Sequence, residues 1–277
     1  MIGFIVLAIL AIGGHRWNQE TQTLRDQLNA ARTPVQPLTF DPAEIATLPA
    51  PVQRFFRAAL TVGAPMIAAV NIQHRGTFNL GETQDLWKTF TSDQMIVARR
   101  PGFDWDARIA MMPGLYARVH DAYVAGEGML HASMAGLFSL ANLYGTEDLA
   151  RDELMRFLAE ATWYPTALLP SQGVRWKAVS DSSAEAALSD GGISVALLFT
   201  FNDAGLVESV GAEARGRNLR GQVVPTPWQG RFWNYSDRGG MHVPLDGEVA
   251  WLLPSGPTPY WRGHIERIEY EFAEETD

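Results

Sequence analysis

The side chains able to carry acid–base chemistry in this 277-residue chain are scattered, and few stand at a meaningful spacing. The six histidines, His15, His74, His120, His131, His242 and His264, include no pair at i, i+4 with a glutamate between. That pair is what seats a zinc ion on one helix face, so no metal site is expected. His74 and His120 fall in strand patterns and are free to meet in space. There is no Gly-x-Ser-x-Gly elbow, no phosphate loop and no cysteine, which removes thiol catalysis, cysteine–zinc sites and disulfides. No cofactor and no catalytic residue is assigned on these grounds.

Four carboxylates stand out. Asp104 and Asp106 are two apart in a strand, on one face and about 7 Å from each other, a range that serves glycoside hydrolysis. Arg108 follows on the same face, and a solvated Asp-Asp-Arg row of ion pairs explains the pattern without chemistry. Asp121 and Tyr123 share the strand face opposite His120. Glu160 sits one position off the apolar stripe of a helix, just ahead of Trp163 and Tyr164. A carboxylate at a helix–sheet interface must be paired or raised in pKa. Arg75, Arg108, Arg156 and Arg262 are the available cations. Two readings stay open for Glu160: an ion pair with Arg156, its i−4 neighbour, or a group facing a cavity. Trp163 and Tyr164 each pair an apolar body with one polar tip, which suits the mouth of an apolar site. The expected ligand-binding set is Asp121, Tyr123, Glu160, Trp163, Tyr164, Arg108 and Arg262.

The elements that must position these groups follow from periodicity. Residues Glu147 to Thr162 read as helix, with Leu154, Phe157, Leu158 and Ala161 in one apolar stripe and acids in the first turns. Pro165 biases Tyr164 out of helical geometry and ends it. About five strand-like runs precede this helix and about seven follow, joined by tight turns such as Ala125-Gly126 and Asp190-Gly191-Gly192. Short strands with such turns make an antiparallel meander. The expected fold is therefore mainly β: one large curved antiparallel sheet or half-barrel, a central helix crossing its concave side, and helices in front. A helix-grip fold is the second architecture considered.

Met1–Gly14 is apolar and free of charge. As a helix it spans about 21 Å, short of the roughly 30 Å of a hydrocarbon core. We expect a membrane anchor or signal-like helix over residues 1–17, a helical stalk and linker over 18–37, and a single half-barrel domain over 38–277. Residues Trp17, Thr21, Leu24, Leu28 and Ala31 form a thin stripe along the stalk. The soluble domain is expected outside the cytoplasm, although His15 and Arg16 just after the apolar run point the other way by the positive-inside rule. The side stays open. A net charge of −9 argues against nucleic acid as a partner.

The segments LPAPVQRFFRAAL, RGTFNL, PGFDWDARI, DAYVAGEG, RFLAEATWYPTALLPS, VRW, PWQG and PYWRG together resemble a family of bacterial proteins known only as a domain of unknown function. The resemblance runs from about Leu48 to Phe272, and Leu158–Ser171 is its most specific part. It implies no activity. In its order of elements the chain is also similar to the Lol-type lipoprotein carriers, a likeness that implies a half-open barrel holding acyl chains under helices.

Three functions fit. The first is a membrane-anchored module that binds a lipid or other apolar molecule between sheet and helix, with the nine tryptophans lining part of the cavity. The second is an enzyme with Asp121 or Glu160 as general acid or base in the same place. The third is a structural envelope protein with a filled core.

Overall fold

The connection between the two halves of the chain dictates the architecture. The computed structural model describes residues 2–81, 84–219 and 222–275, with side chains from residue 8 onward, residue 9 excepted. In order, α1 (Ile2–Ala31), a 3-10 turn (Pro42–Ile45) and α2 (Ala50–Ala59) lead into β1 (Ile67–Asn79). There follow β2 (Trp87–Val97), β3 (Gly102–Met112), β4 (Leu115–Val124), β5 (Glu127–Met134) and β6 (Phe138–Tyr144). Then come α3 (Glu147–Glu160) and the 3-10 turns Pro165–Leu168 and Pro170–Gln172. The second block is β7 (Arg175–Ser180), β8 (Ser183–Asp190), β9 (Ile193–Phe201), β10 (Val207–Leu219), β11 (Gln222–Arg238), β12 (Met241–Leu253) and β13 (Gly256–Phe272).

All 13 strands form one antiparallel sheet in the order β6-β5-β4-β3-β2-β1-β13-β12-β11-β10-β9-β8-β7. The first and last strands pair at its middle, with Ile72 opposite Ile268 and Phe78 opposite Trp261. One meander thus ends at the β6 edge and the next starts at the β7 edge. The chain must cross from edge to edge, and α3 makes that crossing. It packs on β3, β4 and β5 of one wing and on β9 and β10 of the other, so the sheet curls around it. The expected half-barrel with its crossing helix is what forms. One strand more precedes α3 than the sequence pattern suggested: β6 is exposed along nearly its whole length, so it carries no alternation to read.

Thr146 caps α3 by accepting from the Leu149 amide at 3.2 Å. The stripe Leu154, Phe157, Leu158 and Ala161 is fully buried. One end of the half-barrel is filled by α2: Phe55 and Phe56 pack against each other, and against Phe201 and Trp176 respectively. The other end, toward Leu80, Leu219 and Thr258, is not filled.

The segment expected to be a stalk belongs to the body of the domain. Trp17 and Leu28 are 1% exposed and Leu24 is 8%, so the stripe is real but lies on the convex face over β2, β3 and β4. Gly13 is where α1 meets the rim; a Cβ there would stand 2.3 Å from the Ala135 carbonyl oxygen. Val35 and Phe40, placed in the linker and just after it, join the main core. Before Gly13, Ala11 and Ile12 are exposed. Among the described residues no helix is long and apolar enough to cross a membrane. Of the anchor expected over residues 1–17, the side chains of residues 1–7 and 9 lie outside those described.

Candidate functional site

Between α3 and the concave sheet lies a cavity of about 870 Å³ at the unfilled end. Its walls are mainly apolar and aromatic: Phe78, Leu80, Trp105, Leu130, Leu143, Leu149, Trp163, Trp228, Phe232, Val249, Trp251, Tyr260 and Trp261. Alternation explains how the strands deliver these side chains, because residues two apart share a face. Trp228, Gly230 and Phe232 of β11 point inward, as do Gly247, Val249 and Trp251 of β12. The glycines leave room next to the large rings.

Charged groups from α3, β4 and β10 enter this apolar wall. Arg156 bonds Asp121 at 2.6 Å and Glu160 at 2.7 Å, and Gln94 donates to the other Glu160 oxygen at 2.7 Å. The guanidinium also stands over the rings of Phe103 and Trp105, at 4.9 and 5.1 Å. One cation therefore pairs with both carboxylates. Burial lowers the pKa of Arg156, but Glu160, Asp121 and Glu153 outweigh it and the net shift is upward. The pairing of Glu160 with its i−4 neighbour is thus one of the two open readings realised, and the same carboxylate also lines the cavity. One turn earlier, Glu153 is 3% exposed. Burial pushes its pKa well up, Asp121 adds to this, and Arg215 and Arg156 oppose it. Its nearest cation is Arg215 at 3.8 Å, and its second oxygen has no hydrogen-bond partner.

Gly216 draws α3 and β10 together. Asp152 accepts from the Gly216 amide at 3.1 Å on each oxygen. A Cβ on Gly216 would stand 2.3 Å from that carboxylate, so only glycine allows the approach. Arg215 and Arg217 flank it, Arg215 over the Trp228 ring at 5.1 Å and Arg217 by Trp251 at 5.8 Å. The Trp228 indole N–H donates to the Tyr260 hydroxyl at 2.9 Å.

Of the seven residues expected at a ligand site, Asp121, Glu160 and Trp163 line this cavity; the other four do not. Tyr123 is fully buried, with its hydroxyl donating to Asp190 at 2.9 Å. Tyr164 is likewise buried, donating to the Phe157 carbonyl at 2.7 Å. Arg108 is exposed on the convex face over Tyr116 at 4.7 Å. Arg262 is exposed, pairs with Glu248 at 2.8 Å and covers Trp87 at 4.6 Å. Glu153, Arg215, Arg217, Trp228, Trp251 and Tyr260 are the cavity groups that the sequence reading passed over.

One possibility left open by the sequence is closed, and one reading is corrected. His74 and His120 do not meet, for they lie on opposite faces. His74 packs against Trp163 and Trp261 at 5.1 and 6.0 Å, and burial, then Arg156 and His264, lowers its pKa to about 3. His120 sits beneath α1, stacked on Trp17 at 4.5 Å and bonded to Asp104 at 2.7 Å. Nor is the Asp104–Asp106 row solvated. Asp104 is fully buried and paired with Arg25 at 3.3 Å, and Asp106 accepts from the Trp17 indole at 2.9 Å. The row anchors α1. Among the described residues no group of His, Asp and Glu is arranged to hold a metal ion.

Fold and site define a class: a half-open antiparallel barrel with a large aromatic cavity under a crossing helix. Residues 46–270 match DUF6920, a family of unknown function, and the chain belongs to that family. No curated protein matches it. Among solved structures, a LolA superfamily protein from Nitrosomonas europaea is 9% identical, with 88% of this chain and 96% of that one covered and a TM-score of 0.37. A likeness at that level assigns no ligand.

Proposed function

We infer that this protein is a binding module for a lipid or another apolar molecule, held between α3 and the concave face of the sheet. The observation that carries the reading is the cavity: about 870 Å³, within the 300–1,000 Å³ or so of small-molecule sites. Its tryptophans and leucines would be better buried against each other if no ligand were to come between them. Attachment to a membrane surface through the apolar run at the N-terminus, with the domain outside the cytoplasm, belongs to the same reading. The exposed Ala11 and Ile12 beyond the rim of the sheet support it. Native mass spectrometry of purified protein is the test. A bound lipid mass that disappears on organic extraction is expected. Protein that emerges empty and takes up no oleic acid or oleyl alcohol would defeat the reading. Fractionation of cells, followed by protease treatment of spheroplasts, checks the attachment and its side.

An enzyme in the same cavity is favoured by one observation, the raised pKa of Glu153. The groups expected to act, Asp121 and Glu160, are instead both committed to Arg156. Glu153 has no hydroxyl bonded to it among the described residues, so no nucleophile is poised beside it. Binding therefore ranks first.

A further inference from the structure

We propose that the cavity takes an anionic amphiphile, an acyl or alkyl chain ending in a carboxylate or phosphate, and that Arg215 receives the charged end. The inference rests on the binding reading above and specifies its ligand. It comes from following each charge on the cavity wall to its partner. Asp121 and Glu160 share Arg156, Asp148 pairs with Arg151 at 2.6 Å and Glu248 with Arg262 at 2.8 Å. Asp152 is held by the Gly216 amide. Arg215, Arg217 and Arg231 have no hydrogen-bonded acid among the described residues, and of these Arg215 is the one placed under α3, its side chain only 10% exposed.

Among the described residues, no acceptor lies within hydrogen-bond distance of the Arg215 guanidinium. Its contacts are the flat face of Trp228 at 5.1 Å and Glu153 at 3.8 Å, too long for a hydrogen bond. The guanidinium nitrogens are open to the cavity and not sealed in its wall. An arginine stacked on an indole, with its donor edge free, has the geometry that binds carboxylate and phosphate two-pronged. Glu153 lies beside it, with one oxygen enclosed and without a hydrogen-bond partner; burial raises its pKa, which weakens its repulsion of an anion. Arg217, two residues on along β10 and also on the cavity wall, carries a second positive charge toward the unfilled end. The chain of the ligand then runs along Trp105, Leu130 and Trp163. A neutral lipid would leave the Arg215 guanidinium without an acceptor.

The test compares ligands with one hydrocarbon chain and different ends, by displacement of a fluorescent probe from the full chain: oleic acid, oleyl phosphate, oleyl alcohol and, without a chain, inorganic phosphate. At least one oleyl anion is expected to bind roughly tenfold or more tighter than the alcohol, as a charge-assisted hydrogen bond implies. Whichever of the two is preferred identifies the head group. Arg215→Gln should bring the anion-to-alcohol ratio close to one. If that variant does not fold, Arg215→Lys, which keeps the charge but loses the fork, should lower the ratio part of the way. Equal binding of anions and alcohol by the wild type overturns this proposal and leaves the binding reading standing. Displacement by inorganic phosphate as strong as by oleyl phosphate also overturns it, since the site would then serve free anions. Failure of every oleyl compound to bind sinks both.

Discussion

Replacing Arg156 by methionine removes the one cation on which two buried carboxylates depend. The side chains of Arg156, Asp121 and Glu160 are 14%, 15% and 14% exposed, so screening by water is slight. Methionine keeps the unbranched apolar bulk over Phe103 and Trp105, and the packing loss is small beside the electrostatic one. Breaking a buried pair by deleting one partner costs about 3–5 kcal/mol, because the other charge is left uncompensated. Here two charges are left, though Gln94 still holds one oxygen of Glu160. We expect Arg156→Met to cost about 3–5 kcal/mol, a large part of the roughly 5–15 kcal/mol that holds an ordinary domain folded.

The triple variant Arg156→Met, Asp121→Asn, Glu160→Gln removes all three charges together. Buried ion pairs replaced by uncharged groups of similar volume are often neutral or stabilising, so it should regain most of the loss. Urea unfolding followed by tryptophan fluorescence reports both the midpoint and the slope. The slope should stay constant, which makes the midpoint shift a stability change. If Arg156→Met costs under about 1 kcal/mol, the cluster is effectively solvated. If the triple variant is as unstable as the single one, loss of arginine packing and not stranded charge is the cause. Either result refutes the electrostatic account of the cavity wall.

Glu153 sets a pH dependence. Its folded pKa is raised above the unfolded one, so the native state holds the extra proton and stability falls as pH rises from the unfolded value toward the folded one, by at most about 1.4 kcal/mol per pH unit. Glu153→Gln should flatten that part of a melting-temperature profile, and an unchanged profile would assign the raised pKa to nothing functional or structural. On the convex face, Trp17→Ala should cost about 3–5 kcal/mol, the figure for a packed tryptophan, since the ring is 1% exposed and stacked on His120. A loss under about 1 kcal/mol in urea unfolding would return residues 18–31 to the status of a detachable stalk.

What the sequence made legible is what periodicity encodes. The α3 stripe, the antiparallel turns and the single sheet follow from spacing alone, and so does the pairing of Arg156 with Glu160 one helical turn apart. Spacing does not say what lies across a face. Tyr123 and Tyr164 have the same apolar body and polar tip as a pocket-mouth residue, yet each hydroxyl finds a buried acceptor, and both sink into the core. Asp104 and Asp106 read as solvated because the helix that covers them, α1, comes from more than 70 residues upstream. Arg108 and Arg262 were chosen as cations near carboxylates, but strand parity puts Arg108 on the far face, and Arg262 is exposed against Trp87 and Glu248.

Arg215 and Arg217 show the same limit from the other side. In AEARGR two arginines stand two apart on one strand face, and charge on a strand face normally means water. The inversion comes from topology. Because β1 pairs with β13, β10 lies on the far wing of the curl, and α3, crossing from β6 to β7, presses against its inner face. A charged row caught under a helix must be compensated or be waiting for a charge. Asp152 compensates the backbone at Gly216 and not the side chains beside it. Glu153, the acid nearest Arg215, stands 3.8 Å away, and burial raises its pKa. The fold that sets these arginines under the helix thus leaves neither hydrogen-bonded to an acid among the described residues, and that is why the charged end of a ligand is the partner proposed for Arg215.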